Sequence, residues 1–399
     1  MTNLKPGAAL AAPVGLASLE QRATALLDQL SKKDRLRSLR PMLPDASRLD
    51  LTHNDYLGLR SDAHFQAMAL RSVQNLSVGA GASRLLGGEH PIFRELELSF
   101  AHFKGAPEAL FFGSGFAANE AVAVALAQLG GRIFSDSLNH ASIIDGIRLS
   151  GLAHSERVIF PHGDLVFLER QLALSPAPYN LIFSESLFSM DGDHADLHKL
   201  ADLAQRYNGV LVIDEAHAIG CCGPQGRGLV AAAGLEQERL ITINTCGKAL
   251  GVSGALVCGP QWFRDLLINV ARPFIYSTAP SPWIAAALLT SVNYMAELEE
   301  RRFWLADAAQ RMIGQLTEMG YHTGTSQSHI IPIICGDDSQ ALALAKTLTD
   351  EGVEVRAIRP PTVPEGTSRV RISLHAALGE SGFYRIIKGF QKAAKDHAP

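Results

Sequence analysis

Short apolar runs bounded by polar or glycine-rich turns recur along the middle of the chain. The strand candidates are residues 109–112, 132–135, 157–160, 181–184, 210–214, 240–244 and 255–258. Apolar positions at helical spacing separate several of them, for example over 116–129 and 195–207. This alternation predicts an α/β fold with a mostly parallel central sheet flanked by helices. Upstream, Leu19, Leu26, Leu27 and Leu30 form an apolar stripe on a charged helix over 16–39, followed by a β-like stretch at 48–52. Pro280 and Pro282 mark a break, after which a long helix is expected from about 283 to 316 through Leu288, Leu289, Met295 and Leu298. The rest reads as strand 330–334, helix 339–350, strands 353–358 and 369–374, and helix 380–393, a small α+β unit. The run Pro360-Pro361-Thr362-Val363-Pro364 is a rigid connection between its last two strands. The expected organisation is an N-terminal helix and β segment over 1–60, a large domain over 61–282 and a small C-terminal α+β domain over 283–399.

Composition narrows the class. Hydrophobic residues make up 47% of 399, and mean hydropathy is +0.08, values of a globular chain with a large core. Lys and Arg (36) nearly balance Asp and Glu (40), for a net charge of -4, so no nucleic-acid surface is expected. The five cysteines are Cys221, Cys222, Cys246, Cys258 and Cys335; none has metal-ligand spacing, and reduced thiols are expected. The first residues lack the basic stretch and continuous apolar core of a secretory signal. No apolar run reaches the roughly 18 residues of a membrane helix. A cytoplasmic protein is the expectation.

Four places carry candidate chemistry. In 211–220 three apolar residues run into Asp214, with His217 three positions on. Ligands of open α/β sheets gather at strand C-terminal ends, and a carboxylate there needs a cation such as a pyridinium nitrogen. A helix-capping Asp beside a loop His fits the same residues. In 243–251 Lys248 lies between Gly247 and Ala249 just past a strand, with Thr245 close by. A partly desolvated lysine there has a lowered pKa and condenses with aldehydes, whereas an isolated lysine is ordinarily a surface charge. In 109–121 a strand passes through Gly113-Ser114-Gly115 into a helix, whose N–H groups can bind phosphate or simply make a turn. In 136–143 His140 follows a strand end, where it can stack on a flat ring or cap a helix. Read together, a phosphate cradle, a stacking His, a strand-end Asp and a strand-end Lys point to pyridoxal phosphate. Metal-ligand spacing is absent apart from Asp214 and His217, and no GxSxG elbow occurs.

The motifs HNDYLGL (53–59), GAGASRLLGGEH (79–90), FGSGFAANEA (112–121), ESLFSMDGD (185–193), DEAHAIGCCGPQGRG (214–228), TCGKALGVSGA (245–255), FIYSTAPSP (274–282) and IRPPTVPEGTSRVRISL (358–374) resemble, in order, those of the α-oxoamine synthases. These are fold-type I pyridoxal-phosphate-dependent transferases. The resemblance implies that Lys248 is the Schiff-base lysine, that Asp214 pairs with the ring nitrogen and His217 with the ring oxygen, and that His140 stacks on the ring. It further implies that Ser114, Gly115, Phe116, Ser189 and Thr245 help hold pyridoxal 5'-phosphate, and that Ser277 or Thr278 reaches the phosphate of the neighbouring subunit. A homodimer with shared active sites follows from it. Asn54, Arg371, His140 and Thr362 are the implied substrate contacts, Asn54 and Arg371 at the amino-acid carboxylate. One departure stands at Phe93, where the family often carries a second His.

The branch most resembled joins L-alanine to a pimeloyl thioester, on CoA or acyl-carrier protein, with loss of CO2. The lysine amine removes the alanine Cα proton, and His140 can hydrogen-bond the thioester carbonyl. The alternatives are a synthase using glycine or serine with another acyl-CoA, and a non-catalytic partner subunit of the same fold. The presence of Lys248 weighs against the last.

Overall fold

The structure is a computed structural model that describes residues 15–39, 47–235 and 239–396. Most of the opening stretch read for a secretory signal, up to residue 14, lies outside them. Twelve strands are described: β1 (Leu49–Asp50), β2 (Glu108–Phe112), β3 (Arg132–Asp136), β4 (Arg157–Phe160), β5 (Asn180–Glu185), β6 (Gly209–Asp214), β7 (Leu240–Thr245), β8 (Ala255–Gly259), β9 (Ile330–Gly336), β10 (Val353–Glu354), β11 (Arg356–Ile358) and β12 (Ser368–Ser373). The helices used below are α1 (Leu16–Lys32), α2 (Ala63–Ser72), α3 (Pro91–Lys104), α4 (Gly115–Ala127), α5 (Ala141–Leu149), α6 (Leu165–Ala173), α7 (Leu197–Arg206), α8 (Leu229–Ala232), α9 (Gln261–Val270), α10 (Arg272–Ile275), α11 (Pro282–Tyr294), α12 (Glu299–Glu318), α13 (Asp338–Asp350) and α14 (Gly379–Asp396).

The central sheet has the order β2-β8-β7-β6-β5-β3-β4. It is parallel except at β8, which runs antiparallel to both neighbours. Its inner strands are buried on both faces, which is why they read as continuous apolar runs and not as alternation. One face is covered by α4, α5 and α9, the other by α6 and α7. Helix α4 is built largely of small residues, so it lies close to the sheet, and Gly146 of α5 lies close to it. A Cβ at Gly146 would meet the Glu120 Cα at 2.9 Å.

A second sheet, β11-β12-β9, is antiparallel and packs with α12, α13 and α14. Contacts cross the expected boundaries at 60 and 282. Leu49 of β1 pairs with Val353 of β10, and α11 packs on α2 and α3.

Three expected elements end or split. Helix 16–39 stops at Lys32, because Asp34 takes a left-handed conformation (φ 54°) that cannot continue it. Its stripe residues Leu19, Leu26 and Leu27 are exposed. The helix expected over 283–316 tightens to a 3-10 turn at Met295–Leu298, where the buried Arg302 guanidinium donates to the Met295 carbonyl (2.8 Å). The strand 353–358 divides because its first half pairs with β1 and its second with β12. Among the described residues no helix is long and apolar enough to cross a membrane.

Candidate active site

Strands β5, β6 and β7 end side by side, and their last residues are Glu185, Asp214 and Thr245. They open onto a cavity of about 380 Å3 that Asn54, Ser114, Gly115, Phe116, Asn119, His140, Glu185, Asp214, His217, Thr245 and Lys248 also line. The sheet therefore does what open α/β sheets do, presenting loops at the carboxyl edge to one crevice.

One end of the cavity is the start of α4. The Ser114 side chain caps this helix by accepting from the Ala117 N–H (3.2 Å). Gly115 is needed because a Cβ there would lie 2.4 Å from the Thr245 methyl carbon. The Thr245 hydroxyl is buried and without a hydrogen-bond partner among the described residues. A hydroxyl beside the N–H groups of a helix start suits an anionic oxygen.

At the floor, Asp214 is 3% exposed. Its oxygens accept from the Asn119 amide (2.8 Å) and from the Ala216 N–H (2.8 Å), both neutral donors. They orient the carboxylate without neutralising it, so it suits a cationic ring nitrogen. Beside it Glu185, in register with Asp214, is pushed well above the usual carboxylate range by burial and then by the Asp214 charge. Glu185 therefore holds its proton.

Lys248 and His217 meet across the cavity, Nζ to Nε2 at 2.9 Å. The other His217 nitrogen lies 2.6 Å from the Tyr56 hydroxyl, which lies 3.2 Å from Asn54 Oδ1. Burial, then the Lys248 and Arg371 charges, hold His217 well below the usual histidine range. A neutral His217 accepts from Lys248 at Nε2, donates from Nδ1 to Tyr56, and leaves the Tyr56 O–H for Asn54. Lys248 is lowered to about 8 by removal from bulk water, a loss that the nearby Asp214 charge partly offsets. A lysine in that range supplies free amine near neutral pH.

Arg371 on β12 stands behind this wall and reaches the cavity through Asn54, which lines it. Its guanidinium donates to the Ser189 carbonyl (3.1 Å) and to Asn54 Oδ1 (2.9 Å). Asn54 Oδ1 also receives Ser373 (3.4 Å), so its acceptor end is saturated and its Nδ2 end is left for a ligand. The remaining guanidinium N–H groups and the Asn54 amide make a donor set matched to a carboxylate.

The expected residues do not all come together. His140 and Phe116 stand exposed at the mouth, with ring centroids 6.4 Å apart. Ser189 contributes its carbonyl, through Arg371, and does not line the cavity. Ser277 and Thr278 are exposed and line a separate cavity of about 190 Å3 that shares only Gly113 and Ser114 with the first. Thr362 is not in the wall either. It is exposed on the turn after Pro361, its hydroxyl within 3.4 Å of the Arg37 guanidinium, because the proline-rich connection carries it away from β12. Phe93 is fully buried against Phe111 and the Arg84 guanidinium, a packing position and not a cavity wall. Tyr56, Asn119 and Glu185 were not singled out from sequence, although all three lie inside the motifs quoted above.

The family profile described as Aminotransferase class I and II matches residues 46–389. The chain is 41% identical over 349 residues to an 8-amino-7-oxononanoate synthase of Azoarcus sp. (strain BH72), covering 88% of this chain and 89% of that protein. It is 42% identical to the enzyme of the same name from Cupriavidus necator, over 87% and 88% of the two chains. Among solved structures, a serine palmitoyltransferase from S. paucimobilis with bound PLP and myriocin superposes with a TM-score of 0.87 at 27% identity, over 96% of this chain and 99% of that one. An 8-amino-7-oxononanoate synthase from Francisella tularensis superposes with a TM-score of 0.76 at 28% identity, over 88% and 98%. The chain belongs to the 8-amino-7-oxononanoate synthases, within the class I and II aminotransferase family.

Proposed function

We propose that this protein condenses L-alanine with a pimeloyl thioester, on CoA or acyl-carrier protein, releasing CO2 and free thiol and giving 8-amino-7-oxononanoate for biotin synthesis. Its cofactor is pyridoxal 5'-phosphate. The observation that carries the reading is the meeting of Lys248, His217 and Asp214 in one cavity whose far end is a helix start with an unpartnered Thr245 hydroxyl.

When bound, the cofactor supplies an aldehyde for the lysine amine and a cationic ring that accepts the electron pair left at the amino-acid Cα. Ser114, Gly115, Phe116 and Thr245 would hold its phosphate end. Asp214, aimed by Asn119 and Ala216, would keep a proton on the ring nitrogen. His217, fixed from behind by Tyr56, would hydrogen-bond the ring oxygen. His140, which lines the cavity, would stack on the ring and hydrogen-bond the thioester carbonyl. Arg371 and the Asn54 amide grip the alanine carboxylate, which fixes the Cα–H bond relative to Lys248. The Lys248 amine takes that proton and later returns it.

The mouth residues His140 and Phe116, Ser277 and Thr278, and Leu19, Leu26 and Leu27 of the α1 stripe are all exposed in the single chain. That exposure supports a homodimer in which Ser277 or Thr278 serves the partner's phosphate. A cytoplasmic setting fits five cysteines that are all free thiols. A second reading, serine with a long acyl-CoA, is favoured by the 0.87 TM-score to serine palmitoyltransferase, against 41% sequence identity for the first. Measuring CO2 and thiol release with alanine, serine and glycine, each against pimeloyl and palmitoyl thioesters, separates them.

A further inference from the structure

His162 lies just past β4, outside the cavity. Its Nδ1 is 3.0 Å from Asp136 Oδ1 and its Nε2 is 2.8 Å from Asp193 Oδ2. Asp136 ends β3 and opens the turn to His140, and it also accepts from the Leu138 (2.8 Å) and Gly163 (3.1 Å) N–H groups. Asp193 closes the hairpin of Ser189, where the Phe188 N–H donates to the Asp193 carbonyl (3.0 Å). The same hairpin is bound from the other side by β12: Arg369 donates to the Met190 carbonyl and to Asp191, and Arg371 to the Ser189 carbonyl. The hairpin is thus held between His162 on the large sheet and the two arginines of the small one.

A ring nitrogen that lacks a proton turns a lone pair toward its partner. With a carboxylate oxygen at each nitrogen, the pairing is attractive on both sides only when both carry hydrogen. The geometry points to His162 as a positioning residue: a doubly bonded imidazolium that fixes the turn ending in His140 against the hairpin on which Arg371 rests. The inference rests on the reading that Arg371 and Asn54 receive the amino-acid carboxylate. The groups facing the ring are the Asp136 and Asp193 carboxylates, the Gly163 backbone and the Phe188 ring, whose centroid is 4.4 Å away. The adjoining His194 is held below the usual histidine range by burial. Burial opposes a charge on His162, but its bonds to Asp136 and Asp193 win, and its pKa rises to about 10. The side chain is 27% exposed, so solvent can titrate it.

The test uses the holoenzyme. Long-range 1H–15N spectra of the histidine rings should show both His162 nitrogens protonated at pH 8; a neutral ring at that pH overturns the proposal, whatever any variant does. His162→Gln should retain the cofactor's visible band yet bind alanine roughly tenfold more weakly, the scale of one charge-assisted bond, read as the change in that band on titration. His162→Arg, a cation with two donors, should recover part of that affinity. Wild-type alanine affinity in His162→Gln, or an Arg variant no better than Gln, overturns it. If the wild-type band responds to serine and not to alanine, the substrate reading fails, and the same comparison run with serine still decides the role of His162.

Discussion

Lys248 is placed to react as an amine because the cavity withholds water from its ammonium form. Its pKa of about 8 lies below the ordinary lysine value of 10.5. Deprotonation is therefore half complete near pH 8, and the rate at which apoprotein captures pyridoxal phosphate should climb with a midpoint near there; a midpoint above 10 would mean the lysine is not desolvated. Lys248→Ala should abolish turnover and leave the fold intact, checked by circular dichroism beside the assay. Asp214→Asn should slow turnover by roughly a hundredfold, since two lost pK units of ring support correspond to about 1.4 kcal/mol each. At this scale much was legible. Lysine past a buried strand, aspartate at a strand end and glycines before a helix each follow from local sequence. Tyr56 was not legible as a partner of His217, because 161 residues separate them and only the fold brings them together. Nor was the protonated state of Glu185, which depends on its register with Asp214. Thr362 stands on an exposed turn outside this chain's cavity wall, a placement not legible for a related reason: a motif gives its neighbours in the chain, not the direction in which the turn carries its side chain.

At the scale of elements, the loop from Asp214 to His217 is braced from beneath. The next residue, Glu215, is fully buried and pairs with the equally buried Lys104 of α3, and it also accepts from the Val230 N–H of α8 (2.9 Å). The Lys104 ammonium further donates to the Arg227 carbonyl (2.6 Å). Gly228 is required beside this pair, since a Cβ would come within 2.6 Å of the Glu215 carboxylate. Removing one member of a buried pair leaves an uncompensated charge, so Lys104→Met should lower stability by about 3–5 kcal/mol in denaturant titrations. Adding Glu215→Gln should restore part of that loss; a double variant as unstable as the sum of its singles would show the two charges do not interact. His162 braces the facing side of the site, with the opposite dependence on pH from a paired carboxylate. Its raised pKa means that its contribution to stability is full below about 6.5, shrinks as pH rises and is gone above about 10. The stability gap between wild type and His162→Gln should close over that window. The strand runs of the central sheet were readable because burial on both faces leaves continuous apolar stretches. The split of residues 353–358 between two sheets was not, because one apolar run carries no record of which edge each residue meets.

For the whole molecule, the exposed Ser277 and Thr278 make a prediction about assembly. If each serves the partner's site, a chain with Lys248→Ala and a chain with Ser277→Ala and Thr278→Ala, each impaired alone, should complement on mixing. A random mixture then has one intact site in each heterodimer, about a quarter of wild-type activity; no recovery after verified subunit exchange would argue for sites contained in one chain. The broad α/β class followed from the rhythm of strands and helices, whereas the contacts of β1 with β10 and of α11 with α2 and α3 depend on tertiary packing that rhythm does not encode. The central claim, that the cavity joins an amino acid to an acyl thioester with loss of CO2, is tested most directly by the purified holoenzyme given carboxyl-labelled L-alanine and pimeloyl thioester. The account predicts labelled CO2 and free thiol in equal amounts, both abolished by Lys248→Ala. Thiol release without CO2, or greater turnover of serine with a palmitoyl thioester than of alanine with a pimeloyl one, would contradict it.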